Sequence, residues 1–218
     1  NNKDNKNVFD KEKQLNVPEQ LTDFFTIVKI NLRRKKMDEI FDKVYNYVMS
    51  KLYNKIYPKK LNDMDVKLYS KVQSLSWIEP NHIMKNIDNY NFELVLPDIT
   101  RYFNYINIEK SPKKKIENMK NIFASINKLL SFSQKRLIGV DDQMPLLNYI
   151  FIRAKPKGMY TNLEFMELYM GDKIKKEEGN DLVQLKTIRD YIYNLTASNL
   201  INVSKEEFEQ NCKKEIET

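Results

Sequence analysis

The 218 residues suffice for one large domain or two small ones, with a core that removes roughly 70% of the unfolded surface from water. An apolar fraction of 41% against 31% charged residues describes a soluble globular chain, and no run nears the roughly 18 apolar residues that cross a bilayer. A single cysteine (Cys212) and a single histidine (His82) exclude an internal disulfide and multi-histidine zinc sites. Four glycines, none before Gly139, exclude the clustered-glycine loops that cradle a bound nucleotide's phosphates.

Net charge is +7, from 37 Lys+Arg against 30 Asp+Glu, a balance that favours acidic partners. The basic residues are interspersed with acids, and the two basic clusters, Arg33 to Lys36 and Lys113 to Lys115, read as solvated helix faces. No signal segment opens the chain, and its start on Asn1 is read as that of a piece of a longer protein.

Residues 1–17 are polar and read as a disordered tail, followed by an N-terminal helical segment over 18–58 and a main domain over 59–218. Phe24, Ile27, Val28 and Leu32 recur at helical spacing. Met37, Ile40, Phe41, Val44, Val48, Leu52 and Ile56 continue on one stripe, ended by Pro58. Val66, Leu68, Val72 and Leu75 predict the next helix, stopping near Trp77. Residues 92–106 predict another, with Pro97 in its first turn. Ser111-Pro112 reads as an N-cap and first helical residue, opening a stripe of Ile116, Met119, Phe123, Ile126 and Leu130. Met144 to Ala154 is apolar all round, the pattern of a helix buried on every side. Thr161-Asn162-Leu163-Glu164 reads as a capping box, Gly171 to Gly179 as a charged loop, and Leu182, Leu185, Ile188, Ile192 and Leu195 as an amphipathic helix. A second capping box, Ser204 to Glu207, starts a terminal helix. No strand alternation persists, so the fold class is all-α, a layered bundle.

Asp141 and Asp142 precede the central apolar helix. Read alone, they are a cap and a favourable charge at the positive end of the helix dipole, and Pro145 sits in a first turn where no intrahelical bond is lost. A wider pattern gives them a second meaning. The stretch Gly139-Val140-Asp141-Asp142-Gln143-Met144-Pro145, continued by Leu146 to Ala154 with Tyr149 and Arg153, resembles the signature helix of the vacuolar protein sorting nine domain family. Val44 to Tyr53 resembles the helix leading into that domain, and Trp77-Ile78-Glu79-Pro80 its Trp-x-x-Pro block. Pro112-Lys113-Lys114-Lys115 resembles its Pro-x-x-Lys helix start, and Thr161-Asn162-Leu163-Glu164-Phe165 the helix after the signature. The five blocks lie in order between residues 40 and 212.

The resemblance implies a layered helical array with an N-terminal helical bundle and an exchange factor for an early-endosomal, Rab-five-like small GTPase. It implies no covalent chemistry on a substrate, no cofactor of its own (Mg²⁺ and GDP or GTP belong to the GTPase) and no nucleic-acid partner. Location would be cytoplasmic, at the cytosolic face of endosomal membranes, with peripheral membrane association through other parts of the full-length protein. Asp141 takes the place of the family's acidic finger; Asp142, Pro145 and Tyr149 line the partner-binding groove, although the apolar helix around Tyr149 favours a core reading for it over groove lining. On the second groove helix, the family's Tyr-x-x-Thr is replaced by Asn180 and Val183. That replacement keeps open a Rab-binding scaffold with weakened exchange, and +7 leaves a basic module for nucleic acid or anionic lipid as a third reading. His82 reads as a packed or capping side chain, Trp77 as core, and Cys212 as a small buried hydrophobe.

Overall fold

The computed structural model describes residues 16–84, 91–133, 140–170 and 172–217; over 132–133, 140–142 and 172–178 it describes the backbone only. Among the described residues all regular structure is helical, as expected: nine α-helices, short 3₁₀ turns and no strand. Of the polar segment 1–17, residues 1–15 lie outside the described residues. Asn16 and Val17 are the cap and first residue of α1.

The chain divides into two units, Asn1–Tyr45 and Asn46–Thr218. In the first, α1 (Val17–Arg34) opens with a full capping box. The Asn16 Oδ1 accepts from the Glu19 N–H at 3.1 Å, and the Glu19 carboxylate accepts from the Asn16 N–H at 3.2 Å. Phe25 is the buried residue of α1, its ring 4.5 Å from Tyr45 and 6.4 Å from Phe41. The expected single stripe from Met37 is broken into a 3₁₀ turn, Asp38–Ile40, and α2 (Phe41–Ile56).

The second unit continues with α3 (Asp63–Ser74), α4 (Leu96–Ile108), α5 (Pro112–Ser133), α6 (Val140–Ala154), α7 (Met159–Tyr169), α8 (Asp172–Asn194) and α9 (Lys205–Glu217). As expected, α4 starts just before Pro97, whose missing N–H costs nothing in a first turn. α4 and α5 make the most extensive pairing, α6 lies against α4, α5 and α8, and α8 also meets α3, α5 and α7. Leu146, Leu147, Ile150, Phe151 and Ile152 are all at most 2% exposed, so α6 is the apolar centre that its sequence predicts. Each such side chain contributes about 1.5–3 kcal/mol through burial. Trp77 is half-buried; its indole N–H donates to the Cys212 sulfur at 3.4 Å and its ring meets Phe208 edge-on at 5.9 Å, which holds α9 against α3. His82 is a cap: its Nδ1 accepts from the Glu79 N–H at 3.1 Å.

Two expectations fail at the start of α7. The helix begins at Met159, so Thr161 and Asn162 lie inside its first turn, buried, and form no capping box. Gly158 stands at the cap position with φ 64°, and a Cβ there would come within 3.0 Å of the Asn107 amide oxygen. The free N–H groups are served by another helix instead. The Asp65 carboxylate of α3 accepts from the Tyr160 N–H at 2.6 Å, from the Thr161 N–H at 3.1 Å and from the Thr161 hydroxyl. A carboxylate at this positive helix end is favoured, and its bonds are charge-assisted.

The second correction concerns Lys115. It does not lie on a solvated face; it is fully buried, while Lys114 is exposed. Its Nζ donates to the Ile106 carbonyl at 2.6 Å and to the Asn162 Oδ1 at 2.8 Å. The rings of Tyr57, Tyr53 and Phe165 surround it at 5.2, 5.6 and 5.9 Å. Burial pushes this amine down to about 7, an effect that the charge of Glu109 partly offsets. An amine whose pKa is lower in the folded chain than in the unfolded one leaves the folded chain with fewer bound protons between those two values. Stability therefore climbs with pH across that interval and is lost as pH falls through it. We expect the unfolding free energy, measured by urea titration, to rise by about 1 kcal/mol or more between pH 7 and about 9. Lys71, lowered by burial as well, contributes with the same sign, so Lys115→Met should make the slope shallower rather than abolish it.

Candidate functional site

The six residues singled out by the sequence fall on two helices that touch, α6 and α8. Asp141 and Asp142 are the second and third residues of α6, in the turn whose N–H groups carry the positive end of the dipole. That turn is tied to α5 by Gln143, whose amide donates to the Asn127 Oδ1 at 2.9 Å.

Pro145 is not in the first turn, as the sequence suggests, but inside the helix. Because α6 starts at Val140, an ordinary residue at 145 would donate its N–H to the carbonyl of Asp141. Proline removes that bond and crowds the same carbonyl with its ring. The turn bearing the two aspartates is thus joined to the rest of α6 by one bond fewer. Pro145 itself is half-buried.

Tyr149, one turn further on, is 7% exposed and packs edge-on against Phe92 at 5.0 Å; burial raises its phenol's pKa. Its placement is that of a core residue, and it offers little surface to a partner.

The expected charged loop up to Gly179 is helical from Asp172, so α8 passes through Gly179 without interruption. Leu182, Leu185, Ile188 and Ile192 face the core. Asn180 and Val183, three residues apart and hence on one face, point outward, with Val183 61% exposed. Thr187 continues that face and donates its hydroxyl to the Val183 carbonyl at 2.9 Å. The helix is fixed against α7 by two polar contacts. Lys186 pairs with Glu167 at 2.6 Å, and Arg189, 4.0 Å above the Tyr160 ring, holds Asp190, which also accepts from the Tyr160 hydroxyl at 3.2 Å.

The residues that position these helices escaped the sequence reading of the site. Asp65 looks there like one more polar residue beside an apolar stripe. Lys115 and Asn162 do stand in the two blocks Pro112-x-x-Lys115 and Thr161-Asn162-x-x-Phe165, and that membership is the one signal that could have singled them out.

Residues 96–197 match the model of the vacuolar sorting protein 9 (VPS9) domain. That stretch is just under half of the chain. The match spans α4 to α8 and therefore contains both α6 and α8. Over 187 residues the chain is 26% identical to vacuolar protein sorting-associated protein 9A of Arabidopsis thaliana, covering 81% of this chain and 35% of that protein. It is 21% identical over 184 residues to the Rab5 GDP/GTP exchange factor of Bos taurus, covering 81% and 37%. A shorter match, 27% identical over 116 residues, covers 51% of the chain and 10% of receptor-mediated endocytosis protein 6 of Caenorhabditis elegans. The chain thus spans about a third of the length of the first two relatives.

Within the matched stretch, Gly179 is a direct test of the continuous α8. A Cβ added there meets nothing within 4 Å. Gly179→Ala should raise the unfolding free energy by about 0.5–1 kcal/mol, read from urea denaturation, because glycine in a helix interior carries that entropic cost. A flexible connection at 171–179 would instead leave stability unmoved.

Proposed function

We propose that this VPS9 domain is a guanine-nucleotide exchange factor for a Rab GTPase of the Rab5-like subfamily, with Asp141 as the group that enters the nucleotide site. The observation that carries the reading is the head of α6. Two adjacent carboxylate residues sit in a first turn whose tie to the helix is one bond weaker because of Pro145, on a helix largely buried and packed against α8. The Rab5 GDP/GTP exchange factor among the relatives supports the choice of partner.

A GTPase holds GDP through Mg²⁺, a P-loop lysine and backbone amides around the phosphates. A carboxylate brought into that site pairs with the lysine, takes the place of the ion's ligands and repels the phosphates. At about 4 Å, and for an effective dielectric near 20, that repulsion is about 4 kcal/mol. In full it corresponds to roughly a thousandfold loss of nucleotide affinity. By linkage, a domain that binds the empty GTPase more tightly than the loaded one must loosen the nucleotide by the same factor. Asp142 acts as a cap or as a second carboxylate behind the first, and the Pro145 ring packs against a switch region. No bond of a substrate is made or broken, Mg²⁺ and the nucleotide belong to the GTPase, and the partner places the domain at the cytosolic face of endosomal membranes.

The test is the release rate of fluorescently labelled GDP from a Rab5-like GTPase. Asp141→Ala should slow the stimulated release by about 100- to 1,000-fold while the domain still binds the GTPase. Equal rates for the two forms would sink the mechanism.

A second reading is favoured by Asn180 and Val183. Both are solvent-facing on α8, yet neither offers the ring and hydroxyl that the family's Tyr-x-x-Thr presents. Losing one such polar contact costs about 0.5–1.5 kcal/mol. The domain then serves as a Rab-binding module with weakened exchange. In that case Asn180→Tyr with Val183→Thr should speed GDP release by about tenfold or more. An unchanged rate would show that the native pair suffices.

A further inference from the structure

An open cleft of about 420 Å³ separates the middle of α2 from the α4–α5 connection, lined by Asn46, Tyr47, Ile108, Glu109, Lys110 and Lys114 among others. Its chemistry is mixed in a particular way. Tyr47 is 63% exposed and Ile108 65%, so two large apolar side chains stand in water at the rim. Tyr105, one turn before Ile108 on α4, is exposed as well. Around them are cations. Lys51 lies 5.4 Å over the Tyr47 ring, and Lys110 and Lys114 are both exposed. The negative charge of Glu109 is spent in part on the buried Lys115 behind it. On the floor, Ser111 is turned inward, its hydroxyl donating to Asn46.

A tyrosine, with an apolar body and a polar tip, beside an isoleucine that is apolar throughout, both set among lysines, suits the boundary between water and lipid headgroups. The lysines are drawn to an anionic surface, and the apolar groups enter the boundary region below it. A folded acidic protein surface would satisfy the lysines but would leave Tyr47 and Ile108 in search of a matching apolar patch. We propose that this cleft docks on the surface of a membrane rich in anionic lipid, with Tyr47 and Ile108 inserted and Lys51, Lys110 and Lys114 against the headgroups. The inference stands apart from the exchange activity, which uses α6 and α8.

The whole chain is tested by co-sedimentation with phosphatidylcholine vesicles, with and without phosphatidylserine. Binding should require phosphatidylserine and weaken as salt is added. Lys110→Glu with Lys114→Glu should lower apparent vesicle affinity by at least about tenfold. Tyr47→Ser with Ile108→Ser should lower it while leaving the salt dependence in place. Both double variants should melt with the wild-type circular-dichroism profile and keep the wild-type rate of GDP release from a soluble GTPase. Vesicle binding that is absent, indifferent to phosphatidylserine, or unmoved by both double variants overturns the proposal. So does binding of polyglutamate at the cleft without binding of vesicles.

Discussion

Taking an ammonium group out of water costs several kcal/mol unless oxygen acceptors and polarisable faces replace its hydration. Lys115, on α5, satisfies that constraint only by drawing on three other parts of the fold at once. The acceptors come from the last turn of α4, through the Ile106 carbonyl, and from α7, through Asn162. The three ring faces come from Tyr53 on α2, Tyr57 just past its end, and Phe165 on α7. Asn162 is in turn held by Tyr57, Gly158 and Asn107, so none of these partners can shift without uncovering the amine. An apolar contact tolerates sliding; this arrangement does not, because a misplaced acceptor leaves a buried charge.

The same constraint reaches the candidate site through α7. This helix has only 11 residues, and most of its first seven are buried whichever way they point, so amphipathicity alone gives it no orientation. Its position is set by polar bonds at its start, with Asp65 from α3 supplying the cap and Lys115 the cross-tie. From there the Arg189–Tyr160–Asp190 stack and the Lys186–Glu167 pair pass the placement on to α8. The outward face with Asn180 and Val183 is therefore fixed by charges far from it in sequence. α6 is held differently, by burial of nearly every side chain beyond its first turn, and Pro145 marks where that rigid part ends.

One run of three lysines shows how helix geometry divides a charged cluster. Successive residues on a helix point about 100° apart. Lys115 accordingly turns into the core, Lys114 into the open cleft beside α2, and Lys113 lies between, half-buried. The inward lysine holds the helices together, and the outward one is available to a negatively charged surface. Composition counts the two as equal.

The all-α class, the apolar centre at α6, and the starts of α4 and α5 were legible in the sequence, because each follows from local rules: helical spacing of apolar residues, proline at a first turn, and an unbroken apolar run. Three of the five motif blocks fall inside the VPS9 match over residues 96–197. The failures share a cause. Thr161-Asn162-Leu163-Glu164 has the form of a capping box, yet its polar groups are used by Asp65 and Lys115, which are distant in the chain. Gly179 looks like a break but sits in a helix that packing on one face sustains. Pro145 looks like a first-turn residue until the helix is seen to start at Val140. Periodicity and capping rules act within a few residues, so the sequence by itself determined which segments are helical and which faces are apolar. Only the tertiary structure decided that Lys115 is buried, that α3 caps α7, and that α6 and α8 lie side by side. The first two depend on polar groups finding partners roughly 50 to 100 residues away, where desolvation leaves them no alternative, and the third on apolar faces that only the assembled core brings together.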